Sequence, residues 1–343
     1  MGADSKIEWT DHTFNPWIGC TKISPACDHC YAETWAQRYG QANLWQGERR
    51  RTSANNWRQP LRWNAEAERA GVRKRVFCAS LADVFDNQVD GAWRCDLWDL
   101  IHVTPHLDWL LLTKRPQNMA VMLPQKARGA LADWGDGWPN VWLGTTVENQ
   151  TEAEKRIPYL LSRPAAKRFL SCEPLLGPVN LRKITTGERR YIDAITGARG
   201  ASGLPAPFPE CLESVPALDP AFSHQPRIDW VIAGGESGPG ARPSHPEWFR
   251  ALRDQCVSVG VPFFFKQWGD WVPWETDHLP NLRCQDGRSM DRHHLPDIHL
   301  ADNHLRWTDD LLFSGDDWCV HERVGKRAAG ATLDGREWRE VPT

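Results

Sequence analysis

The sequence has little of several features that mark particular classes of protein. Tyrosine and methionine are scarce, with 4 residues each among 343. No hydrophobic run approaches the roughly 20 residues that a membrane-spanning helix needs, and the first ten residues lack the apolar core of a signal peptide. The net charge of −3 gives the whole chain no general attraction to nucleic acid. We therefore expect a cytoplasmic protein that does not enter a membrane.

Tryptophan and cysteine, in contrast, are abundant, with 20 and 10 residues. Tryptophan fills hydrophobic cores and also stacks on bases and other flat ligands. In a reducing compartment, clustered thiols indicate metal binding or catalysis more often than disulfides. The hydrophobic content of 41% and the charged content of 25% are typical of globular proteins. The length allows one large α/β barrel or two ordinary domains.

Three of the cysteines form a compact group, Cys20, Cys27 and Cys30, between a strand-like run at 13–18 and a helix-like run. Three thiolates are one short of a closed tetrahedral metal site. An iron–sulfur cluster held in this way keeps one iron free to bind a cofactor or substrate. The alternative is a zinc site completed by His12, His29 or a distant cysteine.

The remaining cysteines fall into three sets. Those in apolar or amphipathic runs are expected to be core thiols: Cys78, Cys95 and Cys256. Cys172 lies beside a candidate site residue, and its role is open. Cys211, Cys284 and Cys319 fall in irregular segments, and the sequence gives little support for a second metal site built from them.

Strand-like and helix-like segments alternate at a spacing of roughly 30 residues, which indicates βαβ units and a parallel sheet. Seven strands are predicted, at 13–18, 75–80, 107–113, 141–146, 167–171, 228–233 and 262–265. The fold class is therefore α/β, a partial or complete parallel (β/α) barrel with its site at the C-terminal rim. An open doubly wound sheet is the rival. The barrel is assigned to residues 1–270, with an excursion at about 181–226, and an irregular C-terminal extension at 271–343 is expected to pack on it.

Polar and glycine residues follow most of the predicted strands and would converge on one cavity if the sheet closes. The candidates for binding a cofactor are His29, Ser80, Asp83, Thr146, Glu148, Asn149, Ser171, Glu173, Gly234, Gly235 and Glu236. Lys114 and Lys266 are candidates, with the three cysteines, for the catalytic group, since they can clamp an anion.

Each of these assignments has a plainer alternative. Glu148 and Glu173 suit ribose hydroxyls or an amino group, or else form salt bridges with Lys114, Arg115 or Lys266. The run Gly234-Gly235-Glu236-Ser237-Gly238 can cradle a carboxylate or phosphate through its N–H groups. It is equally consistent with an ordinary tight turn after a strand.

A basic cluster interleaved with tryptophan lies between residues 45 and 63. It contains Arg49, Arg50, Arg51, Arg58 and Arg62 with Trp45, Trp57 and Trp63. Such a cluster is consistent with a nucleic-acid contact. The alternative is a solvated face whose arginines lie along apolar surface.

Several long strings of this sequence, read together, resemble the phage Gp37/Gp68 family, also designated DUF5131. They are NPWIGCTKISPACDHCYAE, SLADVFD, LTKRP, GTTVENQ, SCEPLLGP, GGESGPGARP and FFFKQWG, and they run from about residue 7 to 271. That family is in turn similar to radical S-adenosylmethionine (SAM) enzymes, which have a partial β/α barrel and a three-cysteine [4Fe–4S] cluster.

The resemblance implies that Cys20, Cys27 and Cys30 hold the cluster, whose fourth iron would chelate S-adenosylmethionine and cleave it to a 5′-deoxyadenosyl radical. His29 stands where such enzymes often keep an aromatic residue. Six residues separate Cys20 from Cys27, whereas the common pattern has three. Ser80 and Asp83 occupy the region after the second strand, where such enzymes carry a glycine motif that binds an amino group.

The function expected from these observations is a radical SAM enzyme that modifies or repairs a nucleic-acid base. The resemblance further implies a three-Cys-motif partner protein, and an electron donor such as flavodoxin or ferredoxin is expected. The resemblance does not settle the substrate. The phage association, the segment rich in arginine and tryptophan, and the lysines at the rim favour a nucleic acid, DNA. Two alternatives stay open. One is a radical SAM enzyme acting on a small molecule or peptide, and the other is a zinc-stabilised nucleic-acid-binding protein without catalysis.

Overall fold

The computed structural model describes residues 5–187, 190–201, 226–273, 304–308, 311–314 and 319–342. The strands, in chain order, are β1 (His12–Phe14), β2 (Trp17–Ile18), β3 (Arg50–Arg51), β4 (Lys74–Cys78), β5 (Leu107–Thr113), β6 (Val141–Thr146), β7 (Lys167–Cys172), β8 (Ile184–Gly187), β9 (Arg190–Ile192), β10 (Arg199–Ala201), β11 (Trp230–Gly234), β12 (Phe263–Gln267), β13 (Trp271–Pro273), β14 (His304–Thr308), β15 (Leu311–Ser314), β16 (Cys319–Arg323), β17 (Thr332–Leu333) and β18 (Arg336–Glu337). The helices are α1 (Tyr31–Arg38), α2 (Ala54–Trp57), α3 (Gln59–Ala70), α4 (Gly91–His102), α5 (Met119–Met122), α6 (Gln150–Leu161), α7 (Pro246–Val257) and α8 (Lys326–Ala329).

The centre of the molecule is a parallel sheet of seven strands in the order β1-β4-β5-β6-β7-β11-β12. Within these strands the order follows the chain without reversal, whereas a doubly wound sheet reverses at a switch point. The rival fold is therefore wrong. The sheet curls into a half-barrel, which confirms the α/β class and the partial parallel barrel.

The predicted strands agree closely with this sheet, and β5 and β6 begin and end at the predicted residues. The first predicted strand, 13–18, is instead divided. β1 ends at Phe14, and β2 turns away to pair with β3. Pro16 lies at the break, because proline has no N–H to donate to a sheet.

Side chains alternate between the two faces of the sheet, as the period of a strand requires. One face packs against the helices through residues such as Val76, Leu111 and Phe265. The other carries a separate, largely aromatic cluster of Trp9, Phe77, Leu110, Trp142, Phe169, Trp230, Ile232 and Phe264. This second cluster fills the inside of the half-barrel below its C-terminal edge.

The segments assigned to an excursion and to an irregular extension are more regular than predicted. In the described part of the excursion, β8, β9 and β10 form an antiparallel sheet, while residues 202–225 lie outside the described residues. Strands β13 to β16 form a second antiparallel sheet. The chain end returns to the barrel, where the Phe265 N–H donates to the Trp338 carbonyl at 2.9 Å.

No helix in the described part of the chain combines the length and the apolar character that crossing a membrane demands.

Candidate active site

A cavity of about 480 Å³ opens at the C-terminal edge of the parallel sheet. Its lower wall is apolar and includes Trp9, Phe77 and Leu112 from the inner face of the barrel. Its upper wall is polar and includes Cys20, Cys27, His29, Cys30, Ser80, Asp83, Lys114, Arg115, Thr146, Ser171, Glu173, Gly235, Glu236, Lys266 and Gln267. Most of the predicted site residues therefore meet at one cavity.

The segment from Cys20 to Cys30, here called the cysteine loop, forms one side of this cavity. It begins at Gly19, whose φ of +120° is a backbone conformation that favours glycine. A Cβ at Gly19 would lie 2.6 Å from the Glu48 carbonyl oxygen. The loop ends at Cys30, the residue immediately before α1. All three thiols line the same cavity.

Three carboxylate–arginine pairs fix the cysteine loop, and the first is Asp83 with Arg115. Arg115 donates through Nη1 to Asp83 at 3.1 Å and to the Cys20 sulfur at 3.6 Å, and through Nη2 to the Thr21 carbonyl at 2.8 Å. Asp83 is buried and also accepts from the Thr113 hydroxyl at 2.6 Å. Burial and the nearby Asp83 raise the pKa of the Cys20 thiol to about 11, against the opposing effect of Arg115.

The second pair is Glu148 with Arg156. Glu148 is fully buried at 0% exposure and accepts from Arg156 Nη1 at 2.6 Å and from the Ala26 N–H at 3.3 Å. Burial alone would raise the pKa of Glu148, but Arg156 and the Ser24 hydroxyl outweigh it and lower the pKa. A carboxylate at the end of β6 thus holds the middle of the cysteine loop.

The third pair is Glu236 with Arg242. Glu236 accepts from Arg242 through both carboxylate oxygens, at 2.6 and 2.8 Å, and from His29 Nδ1 at 3.1 Å. Arg242 also donates to the Pro25 carbonyl at 2.9 Å and to Asp28 at 3.2 Å. The loop is therefore attached at its start, middle and end to the ends of three different strands.

Glu173 and Lys266 form a fourth ion pair, at 2.9 Å, which faces the cavity. They come from β7 and β12, and β11 lies between these strands. Gly234 on β11 makes the contact possible, because a Cβ there would lie 2.9 Å from Glu173 Oε1. The salt-bridge alternative for Glu173 is thus confirmed with Lys266 as partner, whereas Glu148 pairs with Arg156 rather than with a predicted cation.

The other predicted residues have mixed surroundings. The Ser80 hydroxyl accepts from Asn15 Nδ2 at 2.9 Å, and Ser171 donates to Glu173 at 3.4 Å. Asn149 caps α6 by accepting from the Glu152 N–H at 3.0 Å, and it is not part of the cavity lining.

The glycine run begins at Gly234, the last residue of β11, and turns tightly against another segment of backbone. A Cβ at Gly235 would lie 1.7 Å from the Trp268 carbonyl oxygen, and the Gly235 N–H already donates to the Gln267 carbonyl at 2.9 Å. Gly235 lines the cavity and Gly234 does not. The plainer interpretation of a strand–loop turn therefore describes these two residues well.

The donor chemistry of the cysteine loop is suited to an iron–sulfur cluster, since three thiols share one cavity. In the described part of the chain, no three His, Cys, Asp or Glu side chains are already grouped as ligands of a metal ion. His12 stacks on Trp63 with the ring centroids 4.4 Å apart and is absent from the cavity lining. It is therefore a poor fourth ligand for zinc.

The remaining cysteines with described side chains are Cys78, Cys95, Cys172 and Cys256. Cys78 and Cys256 are buried, which confirms them as core thiols, and Cys172 is buried on the helix-facing side of the sheet. Cys95 is partly exposed, so its core assignment is wrong. Its thiol donates to the Arg128 carbonyl at 3.1 Å. The side chains of Cys211, Cys284 and Cys319 lie outside the described residues.

The basic cluster between residues 45 and 63 is divided between internal contacts and solvent. Arg49 is only 3% exposed in its side chain and pairs with Asp86 at 2.6 Å. Arg51 pairs with Asp96 at 2.5 Å, and its guanidinium lies 4.3 Å from the centre of the Trp57 ring. Arg50, Arg58 and Arg62 are exposed, so part of the cluster faces solvent, whereas Arg49 is a structural residue.

Three residues that the sequence did not single out contribute to the site. Arg156 and Arg242 are isolated arginines in the sequence, and no spacing rule links them to Glu148 or Glu236. Trp9 lines the cavity from a segment before the first strand. Asn149, in contrast, had a usable signal, because an Asn followed three residues later by Glu is typical of a helix N-terminus.

Comparison with known proteins gives one match. The family described as a protein of unknown function, DUF5131, matches residues 4–342. No curated protein and no solved structure matches the chain. Because the matched region is nearly the whole sequence, the chain belongs to the DUF5131 family.

Proposed function

We propose that this protein is a radical SAM enzyme in which Cys20, Cys27 and Cys30 hold a [4Fe–4S] cluster. The observation that carries the proposal is that these three thiols line one cavity at the C-terminal edge of a parallel half-barrel. Catalytic sites of parallel barrels lie at this edge. The likeness of the sequence to the phage Gp37/Gp68 family, and of that family to radical SAM enzymes, supports the same assignment.

The attachment of the cysteine loop also favours this function. Three ion pairs between the chain's own residues attach the loop to the ends of three strands. This attachment limits the positions that the three thiols can take at the rim, as is required of cofactor ligands that act beside a substrate. The long spacing between Cys20 and Cys27 is accommodated by the contacts of Thr21 and Ala26 with Arg115 and Glu148.

The cluster, when bound, supplies an electron that reduces S-adenosylmethionine and so begins hydrogen abstraction from a substrate. The chain itself binds and orients. Arg115 places a positive charge beside the Cys20 sulfur, and hydrogen bonds to cluster sulfurs are among the factors that set reduction potential. Glu173 and Lys266 present a carboxylate and an ammonium to the same cavity, and aromatic side chains form its lower wall.

The substrate proposed is a base of nucleic acid. Lys114 supports this choice, because it lines both this cavity and a neighbouring surface cleft of about 750 Å³. In the described part of the chain its ammonium has no ion-pair partner, so it is available for a phosphate. Binding to single-stranded DNA that weakens steeply with salt, and less steeply in Lys114→Ala, would support this substrate. Binding that is indifferent to salt would favour a small molecule.

The enzymatic proposal is tested by anaerobic reconstitution with iron and sulfide. The wild type should become brown, bind about four irons per chain as a [4Fe–4S] cluster requires, and convert S-adenosylmethionine to 5′-deoxyadenosine once reduced. Separate Ala variants of Cys20, Cys27 and Cys30 should lose both properties. Cys95→Ala is the matched control, because Cys95 is a partly exposed thiol outside the cavity. A colourless protein that retains one zinc would contradict the proposal.

A further inference from the structure

Helix α1 carries a row of aromatic side chains at the surface. Tyr31, Trp35 and Tyr39 are four residues apart, a spacing that places them on one face of the helix and of the residue that directly follows it. Tyr31 and Tyr39 are each 60% exposed, and Trp35 is partly buried between them. Ala32 and Ala36 are buried instead. The helix therefore packs against the protein through its alanines and leaves the aromatic row outside the core.

The aromatic row begins at the opening of the cavity. Tyr31 is part of the cavity lining, and its hydroxyl donates to the Ser80 carbonyl at 2.6 Å. Trp35 packs against the same small apolar cluster as Trp45, which also lines the cavity, and its ring centroid lies 5.0 Å from that of Tyr39. At 1.5 Å per residue, the row extends about 12 Å from Tyr31 to Tyr39. This is about the length of three stacked nucleotides.

Two arginines lie beside the outer end of the row. Arg38, the last residue of α1, is exposed and has no hydrogen-bond or ion-pair partner in the described part of the chain. Arg50 is also exposed, and its guanidinium is held beside the end of the helix by donating to Gln41 Oε1 at 2.8 Å. On the same segments, Glu33 is paired with a lysine at 2.7 Å and Glu48 is exposed. The outer end of the row therefore carries a small excess of positive charge, which suits a phosphate backbone.

We propose that the aromatic row binds single-stranded nucleic acid, whose bases stack on Trp35 and Tyr39 while Arg38 and Arg50 contact its phosphates. Aromatic rings beside positive charge are the usual platform for single strands, because every base offers a flat face to such a ring. A protein partner could also cover apolar rings, but the adjoining arginines favour an anionic ligand. This inference rests on the nucleic-acid substrate of the proposed function. It adds the place where the nucleotides next to the target base are held.

The test is a titration of labelled single-stranded DNA with the full chain, as isolated and without iron, followed by fluorescence anisotropy. A second strand of the same length has abasic sites in place of its bases, so that it keeps the phosphates and loses the stacking faces. Trp35→Leu and Tyr39→Ala should each weaken binding of the base-bearing strand by about fivefold or more, the effect of removing one stacking ring. Neither should change binding of the abasic strand. Tyr39→Phe keeps the ring and should bind both strands as the wild type does.

The arginines are tested separately from the rings. Arg38→Ala and Arg50→Ala should weaken binding of both strands to the same extent. Each should also reduce the slope of log affinity against log salt concentration by about 0.7, the value for one phosphate contact of a single strand. Arg69→Ala, which removes an exposed arginine on α3, is the matched control and should leave both affinities unchanged.

Several outcomes would overturn the inference. They are equal binding of the two strands by the wild type, and Trp35→Leu and Tyr39→Ala variants that bind the base-bearing strand as the wild type does. A wild-type dimer that Tyr39→Ala converts to a monomer would show instead that a second copy covers the row. Binding that responds to salt and to Lys114→Ala, but not to the variants of the row, would refute this inference and leave the proposed substrate standing. Because the titration needs no iron, its result does not depend on assembly of the cluster.

Discussion

The fully buried pair of Glu148 and Arg156 gives the sharpest test of how the cysteine loop is held. Arg156→Met removes the guanidinium and leaves a carboxylate at 0% exposure with the Ala26 N–H and the Ser24 hydroxyl. Breaking a buried ion pair from one side costs about 3–5 kcal/mol, because the remaining charge is uncompensated. We therefore expect the free energy of unfolding of Arg156→Met to fall by about that amount.

Glu148→Gln is the milder perturbation of the same pair. The amide oxygen can still accept from the Ala26 N–H, and Arg156 keeps its second partner, Glu152, at 2.7 Å. The charge-assisted hydrogen bond with Arg156 is then lost, because the amide nitrogen that faces Nη1 is itself a donor, at a cost of about 1.5–3 kcal/mol. Lys155→Met is the control, because it removes only the contact of an exposed lysine with Glu152 and should cost less than about 1 kcal/mol.

The three variants are compared with the wild type in two assays. Equilibrium unfolding in urea gives the free energies, and the rate at which a thiol reagent modifies Cys27 reports on the loop. Cys27 is buried in the wild type, so its modification should accelerate in Arg156→Met and Glu148→Gln but not in Lys155→Met. If Arg156→Met were no less stable than Lys155→Met, or if Cys27 reacted at the same rate in all three, the pair would not hold the loop.

Three further predictions follow from the same contacts. Gly234→Ala should displace the Glu173 carboxylate from Lys266 and lower the free energy of unfolding in urea by about 1–3 kcal/mol. Gly91→Ala is the control and should not lower it, because a Cβ there would have open space around it. Arg49→Met should cost about 3–5 kcal/mol in the same assay, while the exposed Arg62→Met should stay within about 0.5 kcal/mol; equal costs would mean that the Arg49 pair is dispensable. The folded-state pKa of Glu236 lies below its ordinary value of 4.5. Its ionised carboxylate therefore stabilises the fold above pH 4.5, and this stabilisation is lost as the pH falls through the folded-state pKa. A free energy of unfolding that stays constant from pH 4.5 to below the folded-state pKa would contradict this prediction.

The strands were predictable because a parallel sheet is buried on both faces. Its strands therefore appear as short, nearly continuous apolar runs, as in Leu107–Thr113 and Val141–Thr146. The position of the site followed from the same pattern, since polar residues after successive parallel strands meet at one edge. Local sequence thus located both the sheet and the cavity.

The partners of the site residues were not predictable in the same way. Glu148 and Glu236 are recognisable as rim carboxylates, but their partners Arg156 and Arg242 depend on how helices and loops return to the rim. The reach of Glu173 across Gly234 depends on the strand order, which a single sequence does not give. Long-range packing therefore decided which polar residues bind one another and which face the cavity.

The central claim is that three cysteines hold a cluster with one iron open to a ligand. Electron paramagnetic resonance of the reduced, reconstituted protein, with and without S-adenosylmethionine, tests it most directly. The account predicts the spectrum of a reduced [4Fe–4S] cluster that changes when S-adenosylmethionine is added, and that is absent from Cys20→Ala, Cys27→Ala and Cys30→Ala. A cluster spectrum that does not change when S-adenosylmethionine is added, or a protein that binds zinc in place of iron, would contradict the central claim.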